Sequence, residues 1–481
     1  MTFFRKLLLL LAVLAGNLCY AQIVVTYPVP RIVVQRNNSN QALLYVTGRV
    51  SQPADRMEIR FIPRAGEGGT AIDWTLLQNQ PTGGIFYGAV TVTGGRYDLE
   101  IRAIKNNAVS GAVTRVEKVG VGEVFLIAGH SNAAGGYSPT IDYAYGDQYK
   151  DRVNTIHVGD YYGTWDKYWN SGDPSFLPSF QPTQLCDTCG IAPGVSMRWF
   201  WGRTGELIVK NLNVPVLFYS SAFGGTNIEQ LYKSAYDIPF DHGFVKYEYR
   251  FPYTHIRAAI KKYIPFTGLR AVLCGHGVND RNNYGQDFKF QYEKVIDKSR
   301  EETGYPDLAW MVATECYING ECWGQWAPGS SVERHITRAQ DELVAQKPEV
   351  YKGAQLNLIL NDGRNEDALH FNQTGQSKAA EYWRQAVMSE NNPSKNFLTS
   401  SKPLMAKVQP PVIPAFNIAS VQSGDWDNAA TWDCKCIPSY ASTVTVSAGH
   451  TVAIDGNVFA RNIINRGKVE YKTKAVVQLS Q

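Results

Sequence analysis

The sequence has little net charge and no stretch of clustered basic residues. Lysine and arginine together number 47 against 43 acidic residues, and the formal net charge is +4 over 481 residues. Because proteins that bind nucleic acid present a basic patch or stripe, this charge distribution argues against a nucleic-acid partner. The 44% hydrophobic and 19% charged content is typical of a globular protein, and the length allows about two to four domains.

Long apolar runs are absent beyond the N-terminus, so no later segment is long enough to span a bilayer. At the N-terminus itself, Arg5 and Lys6 precede the apolar run 7–15, and the small residue Ala21 follows. A basic start, an apolar centre and a small residue at the cleavage position are typical of a secretory signal peptide. The sequence therefore predicts a signal peptide over residues 1–21 and a soluble protein that is secreted, periplasmic or held at the cell surface.

Cysteine is scarce, and it lacks the spacing of a zinc site. Eight cysteines are present, of which Cys19 belongs to the predicted signal peptide. No second ligand pair stands at a spacing suited to zinc, so local disulfides, which export permits, are favoured over metal binding. Three pairs are close enough in sequence to form them: Cys186 with Cys189, Cys316 with Cys322, and Cys434 with Cys436. Cys274 lies in an apolar segment and is expected to be a buried free thiol.

The first part of the chain alternates apolar and polar residues with a period of two. Runs such as ALLYVTGRV and RYDLEIRAI are separated by turn clusters such as GEGG and PTGG. Short period-two runs at this spacing predict antiparallel strands. We expect residues 22–118 to form an N-terminal β-sandwich domain of the immunoglobulin-like kind.

From residue 119 to residue 390, apolar strands alternate with amphipathic helices. Strand-like runs include EVFLIAG, VPVLFYSSA and RAVLCGHG, and helix-like runs include THIRAAIKKYI and GQSKAAEYWRQAVMS. This alternation, with strands that are apolar throughout, predicts a parallel sheet covered by helices on both faces. Residues 119–390 are therefore predicted to form a three-layer α/β domain.

The C-terminal part of the chain is again rich in predicted strands. Residues 391–416 contain prolines and serines and are interpreted as a linker. Residues 417–481 are predicted to form a small β-rich module, in which the pair of Trp426 and Trp432 is similar to a module at the C-terminal ends of secreted bacterial surface proteins. No three-unit repeat indicates a solenoid, and a single incomplete β-coil is left open.

Four short segments place glycine and polar residues directly after predicted strands. They are Gly129-His130-Ser131-Asn132, Gly224-Gly225-Thr226, the run GHGVND from Gly275 to Asp280, and the pair Asp367 and His370. The carboxyl ends of parallel strands meet at one edge of a sheet, where open α/β sheets bind their ligands. We therefore expect these four segments to lie together.

The four segments contain the groups that acyl transfer needs. Ser131 supplies a hydroxyl, His370 can take its proton, and Asp367 can orient His370 from three residues earlier. Taken alone, a serine after a strand is more often a turn residue, and a D-x-x-H pair is more often a surface ion pair or a cap. Their order at successive strand ends favours a catalytic site.

The donors for a developing oxyanion come from the two middle segments. Gly224 or Gly225 lets a backbone N–H approach a negative charge without side-chain obstruction, and Asn279 can offer a side-chain N–H to the same oxygen.

The four segments resemble the blocks of the SGNH (GDSL-like) hydrolases, and more closely those of the sialate O-acetylesterase-like carbohydrate esterases. That group carries a G-Q-S-N block, a G-G-T block, a Q-G-E block and a D-x-x-H block, and the resemblance covers residues 119–390. It implies a flavodoxin-like α/β/α sheet with Ser131 as nucleophile and Asp367 and His370 as its triad partners. The G-x-S-x-G elbow of the α/β-hydrolases is absent, because Ala133 occupies its last position.

The resemblance also assigns roles to the remaining residues of these blocks. It implies Gly225, or its neighbour Gly224, and Asn279 as oxyanion donors. Further block residues are expected to contact substrate: His130, Asn132, Gly224, Thr226 and His276.

Two blocks depart from the family pattern. His130 stands where the family has the glutamine of G-Q-S-N, and the Q-G-E block reads His276-Gly277-Val278. The two histidines are either a coupled change facing one pocket or two independent substitutions. They leave the catalytic groups in place, and they leave open acid–base work or metal binding by either histidine, although no metal is assigned.

A long loop between the first two blocks, residues 137–176, is crowded with tyrosine and tryptophan. Exposed aromatic faces suit the apolar faces of sugar rings, and we expect Trp165 and Trp169 to contact sugar. The alternative is that these rings pack the loop onto the domain.

Export, the aromatic loop and the resemblance together predict a secreted serine esterase. It would remove O-acetyl groups from an acetylated polysaccharide or sialic acid through an acetyl-serine intermediate, without a cofactor. One alternative is an esterase for lipid or aryl esters, which predicts a long apolar groove. Another is a non-catalytic carbohydrate-binding surface protein, which predicts the loss of a catalytic group. A glycosidase is disfavoured, because no pair of carboxylates presents itself as acid and nucleophile.

Overall fold

The computed structural model describes residues 23–159, 163, 165–319, 321–322, 335–411 and 415–479. The predicted signal peptide, residues 1–21, lies outside the described residues.

Strands dominate both ends of the chain, and helices are concentrated in its middle. The strands are β1 Ile23–Tyr27, β2 Val33–Gln35, β3 Gln41–Val50, β4 Arg56–Gly68, β5 Ile72–Asn79, β6 Ile85–Thr93, β7 Gly95–Lys105, β8 Ala108–Gly129, β9 Val153–Ile156, β10 Pro182–Gln184, β11 Val216–Ser220, β12 Gly268–Leu269, β13 Ala271–Gly275, β14 Ala309–Thr314, β15 Tyr317–Ile318, β16 Glu321–Cys322, β17 Val350–Gln355, β18 Leu404–Met405, β19 Asn417–Ala419, β20 Gly424–Asp425, β21 Thr443–Val446, β22 Thr451–Ile454, β23 Asn457–Ala460, β24 Asn462–Asn465, β25 Lys468–Tyr471 and β26 Val476–Leu479. The helices are α1 Ser131–Ala134, α2 Asp147–Lys150, α3 Asp166–Trp169, α4 Trp201–Leu212, α5 Ile228–Ala235, α6 Thr254–Lys262, α7 Ile264–Thr267, α8 Gly285–Thr303, α9 Ile336–Gln346, α10 Gln373–Val387 and α11 Phe397–Ser400.

The N-terminal strands form two antiparallel groups over a shared apolar core. Strands β1, β3 and β6 make one sheet, and β4 pairs with β5 and β7, which in turn pairs with β8. Alternate residues of β4 (Met57, Ile59 and Phe61) are buried in a core that also contains Leu44 of β3 and Phe86 of β6. The period-two pattern of the sequence therefore corresponds to one buried and one more exposed face of each strand.

Strand β8 runs from this region into the central sheet. Its first part pairs antiparallel with β7, and its last part pairs in parallel with β11 and β13. The predicted boundary between residues 118 and 119 falls within this strand. The division of the chain into domains stays a prediction.

The middle of the chain has the mixed α/β fold that the sequence predicts. The sheet order is β10-β9-β11-β8-β13-β14-β17, and every neighbouring pair is parallel except β10 with β9. The five strands β11-β8-β13-β14-β17 follow the order 2-1-3-4-5 along the chain, which is the order of flavodoxin-like sheets. Such sheets bind ligands outside the carboxyl ends of their strands, where the direction of winding reverses. Here the reversal lies between β8 and β13.

Helices cover both faces of this sheet. Val124 and Leu126 of β8 face a core shared with α5, α6, α8 and α9. Phe125 and Ile127 face the opposite core, which is shared with α4 and α10. Because side chains alternate between the faces of a strand, the run 124–128 of β8, which is apolar at every position, fits this two-sided burial.

The segment interpreted as a linker is partly structured. Phe397 at the start of α11 is buried, and β18 pairs antiparallel with β12 through Leu404 with Leu269. These contacts fasten part of residues 391–416 to the α/β region.

The last strands stack in parallel as successive β-coils. The three parallel groups are β19-β21-β24, β20-β22-β25 and β23-β26. Their core holds Trp426 and Trp432, whose rings meet edge to face at 5.2 Å, and the Trp432 indole N–H donates to the Trp426 carbonyl at 2.8 Å. Sequence inspection left a single incomplete β-coil open but missed the stacking, because the coils differ in length: the stacked residues Ile418, Val444 and Ile463 are 26 and 19 residues apart.

The cysteines follow the sequence prediction where the structure describes them. Cys186 bonds to Cys189, Cys434 bonds to Cys436, and Cys274 is a buried free thiol. Burial raises the pKa of the Cys274 thiol to about 12, so it stays protonated. Cys316 is also disulfide-bonded, and the side chain of Cys322 lies outside the described residues.

No described helix combines the length and the apolar character needed to cross a membrane.

Candidate active site

Ser131 lies where β8 ends and the short helix α1 begins. Gly129, the last residue of β8, has a φ of +142°, and a Cβ there would lie 2.5 Å from the carbonyl oxygen of Gly275 on the neighbouring β13. The His130 backbone N–H donates to that same carbonyl at 3.2 Å. Glycine is therefore required at position 129, where the chain leaves the sheet and places Ser131 at the carboxyl ends of the strands.

Ser131, His370 and Asp367 form a hydrogen-bonded triad. His370 Nε2 lies 2.7 Å from Ser131 Oγ, and His370 Nδ1 lies 2.5 Å from Asp367 Oδ2. The other Asp367 oxygen, Oδ1, accepts the backbone N–H groups of Leu369 at 3.0 Å and of His370 at 2.9 Å. The Asp367 carboxylate is thus held by three donors and can fix the direction of the imidazole.

The Asp367 carboxylate is suited to orient the imidazole of His370. Burial works to raise the pKa of Asp367, but the hydrogen bonds from His370 and Leu369 outweigh it and lower the pKa. The ionised carboxylate accepts the Nδ1 proton of His370, which leaves a lone pair on Nε2 facing the Ser131 hydroxyl.

The turn that carries Asp367 and His370 is fastened by a buried arginine. Arg364 lies between β17 and α10, and its guanidinium donates to the carbonyls of Leu369 at 2.6 Å and Ile359 at 3.0 Å. Its donors satisfy carbonyls that would otherwise be buried without partners. Sequence reasoning did not single out Arg364.

The glycine loop after β11 comes close to Ser131. A Cβ at Gly224 would lie 3.7 Å from the Ser131 Cβ, and Gly225 has a φ of +74°. Glycine therefore keeps this side of Ser131 free of side chains, so that backbone N–H groups can face a developing oxyanion.

Asn279 and Asp280 tie this loop to the end of β13. The Asn279 side-chain amide donates to the Thr226 carbonyl at 2.9 Å, which leaves its second N–H for another acceptor. Asp280 Oδ1 accepts the Ile228 backbone N–H at 2.9 Å, at the start of α5. Burial raises the pKa of Asp280 well above its usual value.

A buried carboxylate lies behind the nucleophile. Glu315 follows β14 directly and is fully buried. Its Oε2 lies 2.7 Å from His130 Nε2, and its Oε1 accepts the side-chain amide of Asn132 at 2.9 Å. Sequence reasoning missed Glu315, although a charged residue directly after a wholly apolar strand is a signal that could have found it.

The ring nitrogens of His130 have assignable roles. Its Nδ1 accepts the Asn132 backbone N–H at 3.4 Å and lies 3.4 Å from Ser131 Oγ. Nε2 therefore carries the ring proton and donates it to Glu315. Burial alone would raise the pKa of Glu315, but the attraction of His130 and the hydrogen bonds from His130 and Asn132 lower it to about 2.

His276 lies beside His130 in the interior. The two rings are 5.8 Å apart, and within the described residues neither His276 nitrogen has a hydrogen-bond partner. Burial, with the neighbouring His130, lowers the pKa of His276 to about 3, so its imidazole is neutral at neutral pH. In the described parts of the chain, no group of three or more His, Cys, Asp or Glu side chains is arranged to hold a metal ion.

The triad opens onto a cavity of about 500 Å³. Trp165 and Trp169 both border it. Their rings stack on each other at 5.0 Å, and Trp169 also stacks on Phe223 at 5.0 Å and on Phe251 at 5.1 Å. These two tryptophans therefore pack the loop onto the domain and also form part of the cavity wall.

The structure brings one group of predicted site residues to the cavity and places another behind it. Those that line the cavity are Ser131, His370, Gly224, Gly225, Asn279, Trp165 and Trp169, and Asp367 supports His370 from outside it. Those that are buried away from the cavity are His130, Asn132, Thr226 and His276. Thr226, for example, donates its hydroxyl to the Phe223 carbonyl at 2.7 Å. Burial of this kind leaves these four side chains without direct access to a substrate.

Several solved structures are similar to the chain at low sequence identity. A carbohydrate acetylesterase from Xanthomonas citri is 15% identical, with a TM-score of 0.44 and coverage of 76% of this chain and 75% of that chain. A protein from Arabidopsis thaliana is 13% identical, with a TM-score of 0.34 and coverage of 56% and 98%. A carbohydrate esterase of family 3 from Talaromyces cellulolyticus is 12% identical, with a TM-score of 0.28 and coverage of 56% and 97%. Similarities at these scores carry no functional argument.

No curated protein matches the chain. The family described as "carbohydrate esterase, sialic acid-specific acetylesterase" matches residues 121–389, which is more than half of the chain and contains every residue of the triad. The protein belongs to this family of carbohydrate esterases and is a carboxylic ester hydrolase.

Proposed function

We propose that the protein is a secreted serine esterase that removes O-acetyl groups from carbohydrate, either an acetylated polysaccharide or sialic acid. The observation that carries the proposal is the 2.7 Å contact between Ser131 Oγ and His370 Nε2, with His370 held by Asp367. Family membership supports the acetyl ester and the carbohydrate as substrate.

Acylation begins when His370 takes the hydroxyl proton of Ser131 and Oγ attacks the acetyl carbonyl. The carbonyl oxygen becomes an oxyanion, and its donors are the backbone N–H groups of the Gly224–Gly225 loop and the second amide N–H of Asn279. The resulting imidazolium is stabilised by Asp367 and gives its proton to the leaving sugar oxygen. The sugar departs with a restored hydroxyl, and the acetyl group stays on Ser131.

Deacylation repeats the same proton transfers with water. His370 takes a proton from a water that attacks the acetyl-serine carbonyl, and the same donors hold the second oxyanion. Collapse of this intermediate releases acetate and returns the proton to Ser131. Each step uses side chains and backbone groups of the chain itself.

We also propose the layout that the sequence predicts. It comprises a signal peptide over residues 1–21, an immunoglobulin-like sandwich over 22–118, an SGNH hydrolase domain over 119–390, a linker over 391–416 and a β-rich module over 417–481. The disulfides Cys186–Cys189 and Cys434–Cys436 are compatible with export, because oxidising compartments preserve them.

The proposal is tested by acetate release from three esters: acetylated xylan, O-acetylated sialic acid and 4-nitrophenyl acetate. We expect release from 4-nitrophenyl acetate and from at least one of the two carbohydrates. Hydrolysis of the aryl ester alone would favour an esterase for lipid or aryl esters. A folded protein that releases no acetate would favour a carbohydrate-binding role.

A further inference from the structure

Tyr137 covers one face of the imidazole of His370, the base of the triad. Its ring lies parallel to the His370 imidazole, with the ring centroids 4.2 Å apart and an angle of 15° between the planes. The residue is nevertheless 80% exposed, so most of the phenol ring is open to solvent. An aromatic ring with one face on the base and so much of its area exposed can bind a ligand with its other face.

The backbone around Tyr137 holds the ring in this position. Tyr137 has a φ of +67°, which is uncommon for a residue with a side chain and tends to be kept at functional sites. On one side, the Gly135 N–H donates to the Ser131 carbonyl at 2.8 Å. On the other side, the Ser138 hydroxyl donates to Asn365 Oδ1 at 3.0 Å, and the Asn365 N–H donates to the His370 carbonyl at 2.8 Å. The segments on either side of Tyr137 are thus hydrogen-bonded to the nucleophile and, through Asn365, to the base.

The chemistry places the leaving sugar beside this ring. His370 Nε2 must come within hydrogen-bond distance of the sugar oxygen to which it returns the proton. The sugar ring bonded to that oxygen then lies next to the imidazole and to the residue that covers it. Tyr137 borders the same cavity as Ser131 and His370.

A second exposed ring borders the cavity on the oxyanion side. Phe244 is 55% exposed, and a Cβ at Gly225 would lie 2.4 Å from its ring. Phe244 is therefore next to the glycine loop that faces the acetyl carbonyl. Any acetyl ester places its carbonyl on this side, whatever alcohol it carries.

We propose that Tyr137 is a specificity-determining residue that stacks its exposed face on the sugar ring of the leaving group. The ligand is an acetylated pyranose presenting its apolar C–H face, as sugars do to aromatic side chains. The inference rests on the proposed function, because it names the subsite of the same reaction.

The test compares kcat/KM on two substrates, an acetylated xylo-oligosaccharide and ethyl acetate, whose leaving group has no ring, for the variants Tyr137→Ala, Tyr137→Phe and Phe244→Ala. We expect Tyr137→Ala to lower kcat/KM about tenfold on the oligosaccharide and less than about twofold on ethyl acetate. Tyr137→Phe should retain both activities, because the ring face remains. Phe244→Ala should change both substrates by the same factor.

Phe290→Ala is the matched control for removal of an exposed ring. Phe290 lies on α8, is 49% exposed and does not border the cavity. The Phe290→Ala variant should leave both activities unchanged, and thermal unfolding should show that all variants are folded.

Three results distinguish the inference from the function on which it rests. Equal losses on both substrates in Tyr137→Ala would overturn the sugar subsite and assign the ring to support of His370. Full activity of Tyr137→Ala on the oligosaccharide would overturn it as well. A wild-type protein that hydrolyses ethyl acetate or 4-nitrophenyl acetate but no acetylated carbohydrate would contradict the proposed function itself, and the subsite with it.

Discussion

Asp367 acts on catalysis only through the imidazole that it holds. Its Oδ2 accepts the His370 Nδ1 proton at 2.5 Å, and this contact selects the tautomer that leaves Nε2 free for Ser131. In Asp367→Asn, the amide presents a donor or a weaker acceptor to Nδ1. We expect kcat on 4-nitrophenyl acetate to fall about 10³- to 10⁴-fold with little change in KM. Steady-state kinetics will check this, and a loss below tenfold would contradict the role of Asp367.

Glu315 holds the nucleophile loop from the interior. Glu315→Gln places an amide N–H against either the His130 Nε2–H or the Asn132 amide, so one donor loses its acceptor. We expect the free energy of unfolding to fall by about 2 kcal/mol. We also expect kcat to fall about 10- to 100-fold with KM unchanged. A displaced Ser131 slows the chemical step but leaves the contacts that bind the sugar unchanged.

The control for this prediction is His130→Gln. A glutamine can still donate to Glu315 and accept from the Asn132 N–H, so kcat should stay within about threefold of wild type, as expected for a substitution that preserves both hydrogen bonds. Urea unfolding and kcat measured on the same samples will separate the two effects. Unchanged kcat in Glu315→Gln would show that the buried carboxylate serves stability alone.

Among the elements, the loop after β11 depends most directly on glycine. Gly225 has a φ of +74° and a Cβ there would meet the Phe244 ring at 2.4 Å, whereas Gly66 on β4 has a φ of +75° with no atom within 4 Å of such a Cβ. Alanine at either position should cost about 1–2 kcal/mol of stability through backbone strain. Only Gly225→Ala should also lower kcat/KM, because Phe244 and the loop must move. Equal activity of the two variants would contradict a role for this loop in catalysis.

The sequence predicted most of the elements that carry the site. Ser131 was predictable because its motif directly follows an apolar strand, and Asp367 and His370 because they form a short D-x-x-H motif. The apolar run 356–360 before that motif was interpreted as a strand, but the strand β17 ends at Gln355 and Leu356–Leu358 form a 3-10 helix. Glu315 and Tyr137 were not singled out, because their roles depend on contacts across the fold: Glu315 with His130, and Tyr137 with His370. At the C-terminus the sequence left a single incomplete β-coil open, but the stacking of several coils was missed because pairing between coils is not encoded by a repeated motif.

For the molecule as a whole, the buried histidines make stability sensitive to acid. Burial lowers the pKa of His255 and of His276 to about 3, below the usual 6.5 of an unfolded histidine. The unfolded chain therefore binds more protons than the native protein between these values, and the free energy of unfolding falls as pH drops from 6.5 toward 3. Each histidine contributes a slope of up to about 1.4 kcal/mol per pH unit.

His276→Gln tests this acid sensitivity. Glutamine does not titrate, so the free energy of unfolding of the variant should fall less steeply between pH 6.5 and pH 3, the usual and the lowered pKa of His276. Urea unfolding at a series of pH values will give the two slopes. A slope identical to that of wild type would mean that His276 is not a neutral buried group in the native protein.

The measurement that tests the central claim most directly is intact-protein mass spectrometry after mixing with 4-nitrophenyl acetate, carried out on wild type and Ser131→Ala side by side. The account predicts one transient acetyl group on the wild-type protein, located on the peptide that contains Ser131, and none on Ser131→Ala, which should also release no acetate above background. Acetate release by Ser131→Ala at the wild-type rate, or an acetyl group on another residue during turnover, would contradict it.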